Sequence, residues 1–285
     1  MISNQLFEQI NKNVLENYEN QIYHYTSEHS FQEIIKSNSL IFKEISNFED
    51  KEEFYYTIKI LKKVIYKFYN EYNNNPNKIK FLTNLLQNDL KVLINNRTEH
   101  EKDRLITYRY YVVCFSTDKS RDKKYMWTHF TKNSKHKGFC LNFTQNLFIN
   151  NLESNKDYVE SIFSSKVSYK KYKLKKKLET LLLCYIEMNT KYDILEFYDI
   201  LRFIAIFNKR KIFKRENEYR FVIIREIHNK IMETNESIKI NFYKEALHSV
   251  CCSPTTRIDN DYFYNLMKKS NYPLYIELKH SDVIL

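Results

Sequence analysis

The chain has 285 residues, 43% of them apolar and 28% charged. That suffices for one large domain with a full core and excludes a disordered polypeptide. Its one glycine, Gly138, excludes a standard dinucleotide fingerprint, P-loop or esterase nucleophile elbow, since each needs at least two. The net charge of +11 points to nucleic acid or another anionic partner. A composition rich in Lys, Asn, Ile and Tyr from AT-rich codons gives the same excess as solvated faces, with Lys170, Lys171, Lys173, Lys175, Lys176 and Lys177 among them.

In chain order, Ser3 caps a helix with Leu6, Ile10, Val14 and Leu15 on one face. Gln21 to Thr26 reads as a strand. Ser27 then caps a short helix with Phe31, Ile34 and Ile35 inward, and Leu40 to Phe42 is a second strand. Glu52 to Tyr72 carries Phe54, Ile58, Leu61, Ile65, Phe68 and Tyr72 at helical spacing. The run Asn73-Asn74-Asn75-Pro76 ends that helix, and another follows over Lys78 to Asn95. Arg109 to Ser116 is a buried strand, Asp122 to Phe130 a short helix, and Gly138 to Phe143 a strand. Ser165 to Tyr169 is a weak strand. Lys175 to Phe207 is helical with a break near Thr190. Glu218 to Ile224, Ser237 to Tyr243, Leu247 to Cys252 and Pro273 to Leu278 are strands, and Asp259 caps a helix to Lys269. Strands and helices alternate without regular βαβ spacing, which predicts an α+β fold. The expected organisation is a single domain, 1–285, with a helical insertion at 50–100 and a second helical segment at 170–208. The insertion is expected to form a separate layer that contributes little to any site.

Met1 to Asn20 has no apolar secretory core, and no stretch is long and apolar enough to span a membrane. Five cysteines, with Cys251 and Cys252 adjacent and no Cys-x-x-Cys, read as reduced cytoplasmic thiols with no metal site.

Four segments combine residues capable of chemistry. In Tyr23-His24-Tyr25-Thr26, His24 and Thr26 share a strand face and suit a sugar diol; a half-buried core histidine is the alternative. Val113-Cys114-Phe115-Ser116 precedes Tyr125-Met126-Trp127-Thr128-His129-Phe130. There Trp127 and Phe130 lie three apart on a helix and suit a flat cationic ring, or form a core stripe. His136-Lys137-Gly138-Phe139-Cys140-Leu141-Asn142-Phe143 opens on the lone glycine, for a tight turn or a close backbone approach. In Lys214-Arg215-Glu216-Asn217-Glu218-Tyr219-Arg220-Phe221, Glu216, Glu218 and Arg220 share a face. The carboxylates are candidates for base and electrostatic stabiliser, or the strip is an ion-pair network.

Together and in this order, these segments resemble the bacterial family catalogued as domain of unknown function 2971. That family has an aromatic first strand, a Cys-Phe-Ser strand, a Met-Trp-x-His-Tyr helix, a Gly-hydrophobic strand and a Glu-x-Glu-x-Arg strand. The resemblance runs from Ile22 to about Leu278. Two positions depart from it: Asn47-Phe48-Glu49-Asp50 stands where Asn-Asp-Pro is usual, and Phe130 where Tyr is usual.

The order of histidine, aromatic and glutamate is also similar to that of ADP-ribosyltransferases of the His-Tyr-Glu type. This weaker resemblance implies an α+β fold with a split mixed or antiparallel sheet. It implies cytoplasmic NAD cleavage without a metal, and transfer of ADP-ribose to a nucleic acid or protein, as in toxins and phage-defence effectors. Glu218 would bind the ribose 2′-hydroxyl and stabilise the cationic transition state. Glu216 would position the acceptor. His24 would hold ribose hydroxyls, and Trp127, Phe130 or Tyr125 would stack nicotinamide. Tyr25, Thr26, Ser116 and Arg220 complete the NAD-binding set. His24 and Glu218 are accordingly expected to face one pocket. The rival reading is a non-catalytic nucleic-acid-binding or protein-interaction module. The two separate on whether His24, Trp127 and Glu218 converge on one cleft; His24 and Glu218 on opposite faces of the sheet count against the transferase. A metal-dependent nuclease is disfavoured by the lack of ligand spacing.

Overall fold

The computed structural model describes residues 20–45, 52–87, 106–130, 137–154, 161–187, 194–228 and 237–284. The helix expected from Ser3 and the stretch from 88 to Asn95 lie outside them. The first half of the chain forms β1 (Gln21–Ser27), α1 (Glu28–Ser37), β2 (Ser39–Glu44), α2 (Glu52–Glu71), α3 (Pro76–Gln87), β3 (Ile106–Ser116), α4 (Lys124–Phe130) and β4 (Gly138–Thr144). The second half forms α5 (Gln145–Ser154), β5 (Ser161–Lys166), α6 (Lys171–Glu187), α7 (Ile194–Ile206), β6 (Glu218–His228), β7 (Ser237–Asn241), β8 (Leu247–Cys252), α8 (Asn260–Lys269) and β9 (Glu277–His280).

Local sequence accounts for most boundaries. The Ser27 hydroxyl accepts a hydrogen bond from the Ser30 amide at the start of α1, and Asn38 ends that helix at φ 52°, a conformation that asparagine tolerates. Glu52 and Glu53 occupy the first turn of α2, where the helix dipole favours acids. Gly138 has no positive φ, so it makes no left-handed turn. It is buried, and its amide meets the Thr256 hydroxyl at 2.9 Å, so close backbone approach is the use of this glycine.

The strands form one sheet in the order β5-β6-β3-β1-β4-β8-β9, with β2 and β7 as a side ladder on β3. The pairings are antiparallel except β8 with β9. β3 pairs along its whole length with β6, and β1 with β4. Between those two blocks the ladder is a single residue pair, Tyr23 with Ser116. The sheet therefore parts at its centre, between β1 and β3.

Alternation assigns each strand residue to a face. Tyr110, Val112, Val222 and Ile224 pack under α2, α3, α6 and α7 in one core. Tyr111, Val113, Phe115, Phe221 and Ile223 face the other way, with Ile22, Phe139, Leu141 and helices α1, α5 and α8. Beyond the split, the first face continues as a small cluster of Tyr23, Tyr25, Met126, Trp127 and Cys140. The helices of the insertion lie on this one face of the sheet and share its core with α6 and α7. Of the six lysines named as a solvated run, Lys177 is half-buried, and burial with the charge of Lys173 pushes it down to about 8.

Candidate functional site

The first-named core and the Tyr25 cluster meet at the split. Just before β6 the chain runs through a turn at Lys211–Glu216 and then Asn217 at φ 41°. The Asn217 amide side chain donates to Ser120 Oγ at 2.7 Å, and Ser120 Oγ donates to the Arg215 carbonyl at 2.6 Å. The Thr117 amide donates to the Asn217 carbonyl. This pins the turn to the end of β3 and turns Glu216 and Glu218 to the same side. One ammonium reaches both: Lys209 Nζ lies 2.7 Å from Glu216 Oε2 and 3.1 Å from Glu218 Oε1.

Arg220, one pleat further on, donates to Glu218 Oε2 through Nε at 2.9 Å and Nη2 at 2.6 Å. Its Nη1 and Nη2 also donate to Glu53 of α2, at 2.6 and 2.7 Å, and Nη1 donates to the Ile206 carbonyl at 2.5 Å. Lys209 also reaches Glu53 Oε1, at 3.2 Å. Arg220, Glu216, Glu53, Glu218 and Lys209 are all buried. Three carboxylates therefore share two cations, and that excess sets the electrostatics. Burial pushes Glu216 up and the charge of Glu218 adds to it, so Glu216 sits above the usual glutamate range despite Lys209. Burial also pushes Glu218 up, but the charges of Arg220 and Lys209 outweigh it, so Glu218 is held below that range. Two neighbouring carboxylates pushed apart in this way are the arrangement that gives one proton carrier and one permanent anion.

Around them, the Tyr125 hydroxyl donates to Glu216 Oε1 at 3.4 Å, and its ring stacks on His129. The Glu218 amide donates to the Tyr169 hydroxyl at 3.0 Å. Cys114 faces the cluster, but burial pushes its thiol up to about 12, so it is no nucleophile at neutral pH.

Of the residues anticipated from sequence, Ser116, Tyr125, Glu216, Glu218 and Arg220 come together. Tyr25 and Phe130 lie on the same face across the split, stacked at 5.7 Å, and Phe130 is 40% exposed. His24 does not join them. Tyr23, Ser116 and Glu218 are in line by register, so His24, one residue on, points to the opposite face. There its ring tilts against Phe115 and its Nδ1 meets the Cys114 carbonyl at 3.1 Å. Thr26 shares that phase. The expectation that His24 and Glu218 face one pocket is not met.

Trp127 is also displaced from its expected role. It is 0% exposed, meets Tyr25 edge-on at 4.9 Å, and donates from Nε1 to Asp122 at 2.6 Å. It is a core residue with no open ring face. Trp127→Phe is expected to lower stability by about 1–3 kcal/mol, by losing the indole bond to Asp122 Oδ1, which keeps the Ser281 hydroxyl as a donor, and by leaving part of the indole's space empty; urea unfolding reads it. The sequence reading missed Lys209, Tyr169 and Glu53. Lys209 and Glu53 carried no local signal.

Residues 126–221 match the family described as a protein of unknown function, DUF2971. The span of the DUF2971 match includes Met126-Trp127, the Gly138 strand and Glu216-x-Glu218-x-Arg220, so the resemblance drawn from those motifs is borne out there. Tyr23 to Thr26 and Val113 to Ser116 fall outside it. No curated protein and no solved structure matches the chain. Among the described residues, no helix is long and apolar enough to cross a membrane, and no cluster of three His, Cys, Asp or Glu side chains suits a metal.

Proposed function

We propose that the chain cleaves the nicotinamide–ribose bond of NAD and transfers ADP-ribose to a macromolecule. The observation that carries this reading is the Glu216–Glu218 pair, held by one lysine at the central split and shifted in opposite directions. The parted sheet also supports it. Glu218 Oε2 is filled by its two bonds from Arg220, but Oε1 accepts from Lys209 and keeps a second lone pair, so a ribose hydroxyl can add there. As the C1′–N bond breaks, nicotinamide leaves with the electron pair and the sugar becomes cationic, which an anionic Glu218 stabilises. The acceptor then attacks C1′ and its proton passes to Glu216. His24 and Trp127 have no part in this scheme, and Tyr125 and the exposed Phe130 are the aromatics left to meet the nicotinamide.

A second reading is favoured by two observations, the first being that His24 and Trp127 do not converge with Glu218 on one cleft, the feature that separates the two readings. The second is that the five charged groups are buried and satisfied by one another, as in a structural ion-pair network of a non-catalytic module. Incubation with labelled NAD separates the two. Free nicotinamide, with label in protein, DNA or RNA, supports the enzyme; neither from the folded wild type overturns it. Glu216→Gln sharpens the test. It mimics the protonated carboxyl, so nicotinamide release should persist while transfer falls by about 10²–10⁴. Transfer by the wild type should rise with pH as Glu216 loses its proton, above the ordinary glutamate range.

A further inference from the structure

The exposed face of α2 is not part of the site described above. Its aliphatic residues, Ile58, Ile60, Leu61, Val64 and Ile65, are all buried in the core. The opposite face presents Tyr55 at 56% exposure, Tyr66 at 58% and Tyr69 at 37%. Lys59, Lys62 and Lys63 are exposed among them. Tyr55, Lys59, Lys62, Lys63 and Tyr66 line one surface hollow with Ile58. No acidic residue occurs between Glu53 and Glu71, and none of these three lysines is ion-paired within the described residues. By helical rise, Tyr55 and Tyr66 stand roughly 16 Å apart along the axis, with the lysines between them.

We infer that this face binds single-stranded nucleic acid, with bases stacked on the tyrosine rings and phosphates on the lysines. The chemistry selects this partner. Alternating rings and ammoniums match a strand whose bases are free to stack and whose backbone carries regular negative charge. A membrane surface is a poorer match, because interfacial helices insert aliphatic or Trp and Phe side chains, and the apolar stripe of α2 is already used by the core. An acidic peptide would meet the lysines and leave the rings unused. The inference does not depend on NAD cleavage, since neither Glu216 nor Glu218 takes part.

The test uses the full chain with fluorescein-labelled U12 RNA and dT12 DNA, read by anisotropy at 50 and 200 mM salt. Binding should weaken steeply with salt. Lys59→Glu/Lys62→Glu/Lys63→Glu should lose at least tenfold in affinity and flatten the plot of log K against log salt by about 2. Tyr55→Ala/Tyr66→Ala should lose at least fivefold while keeping the salt slope, because stacking carries no counterion release. Both variants alter exposed side chains, so their melting temperatures should match the wild type. Full-strength binding by either variant, or no binding by the wild type, overturns the inference. So does wild-type binding to phosphatidylserine vesicles but to neither oligonucleotide. NAD assays on the same variants keep this outcome separate from that of the carboxylate pair.

Discussion

Arg220→Met should destabilise the protein by about 3–5 kcal/mol, the usual cost of removing one partner from a buried charge network. Arg220 is 1% exposed and holds both Glu53 and Glu218. Methionine fills much of the volume but leaves three carboxylates to Lys209 alone. The loss should also depend on pH. Without Arg220, Glu218 should follow Glu216 upward and bind a proton in the folded state at mildly acid pH. A folded state that binds more protons than the unfolded one gains stability as pH falls. The gap between wild type and variant is therefore largest near neutrality and narrows toward pH 5. Urea unfolding at both pH values measures it. A loss under 1 kcal/mol with no pH dependence would show that the network does not fasten α2 to the sheet.

That fastening explains what could and could not be read from the sequence. The strands at Arg109 to Ser116 and Glu218 to Ile224 were legible because β-branched and aromatic runs admit little else. The placement of Glu216, Glu218 and Arg220 on one side was legible from period two. The position of His24 was not. Alternation separates it from Tyr23, but which of the two shares a face with Glu218 depends on the register between strands. A slip of one residue reverses it. That register rests on one pair, Tyr23 with Ser116, which no local pattern announces. Helix α5 escaped because its apolar residues, Leu147, Phe148, Ile149 and Leu152, are a short cluster over little more than one turn rather than a repeating stripe. Glu53 is 167 residues from Arg220, and its role exists only once α2 lies over β6. The tyrosines on the outer face of α2 were passed over because the helix was read for its buried stripe.

The other large effect is expected at Glu218. Glu218→Gln keeps the shape and removes the charge. As a surface ion pair, this residue would be worth about 0–1 kcal/mol, but its burial raises the structural cost. Even so, the cost should be smaller than at Arg220. With Gln at 218, two carboxylates face two cations and the charge excess disappears. What is lost is a good acceptor for Arg220 and Lys209, about 1–3 kcal/mol.

The pH dependence should change in a defined direction. The folded pKa of Glu218 is lowered, so its ionisation adds stability above the unfolded pKa, and that stability is lost as pH falls through the folded value. The variant lacks this contribution, so its deficit should shrink as pH drops below about 4.5, the ordinary glutamate value. Catalysis should respond far more strongly. Losing one preorganised group facing a developing charge typically costs about 2.7–4 kcal/mol, or roughly a hundred- to a thousandfold in rate. Nicotinamide release should therefore fall at least a hundredfold at a temperature where both proteins are folded. Glu216→Gln, measured alongside, should retain release, because the charge that meets the cationic sugar is still present at 218. If Glu218→Gln lowers the melting temperature but leaves release unchanged, Glu218 is a structural ion-pair partner and the second reading of the cluster stands.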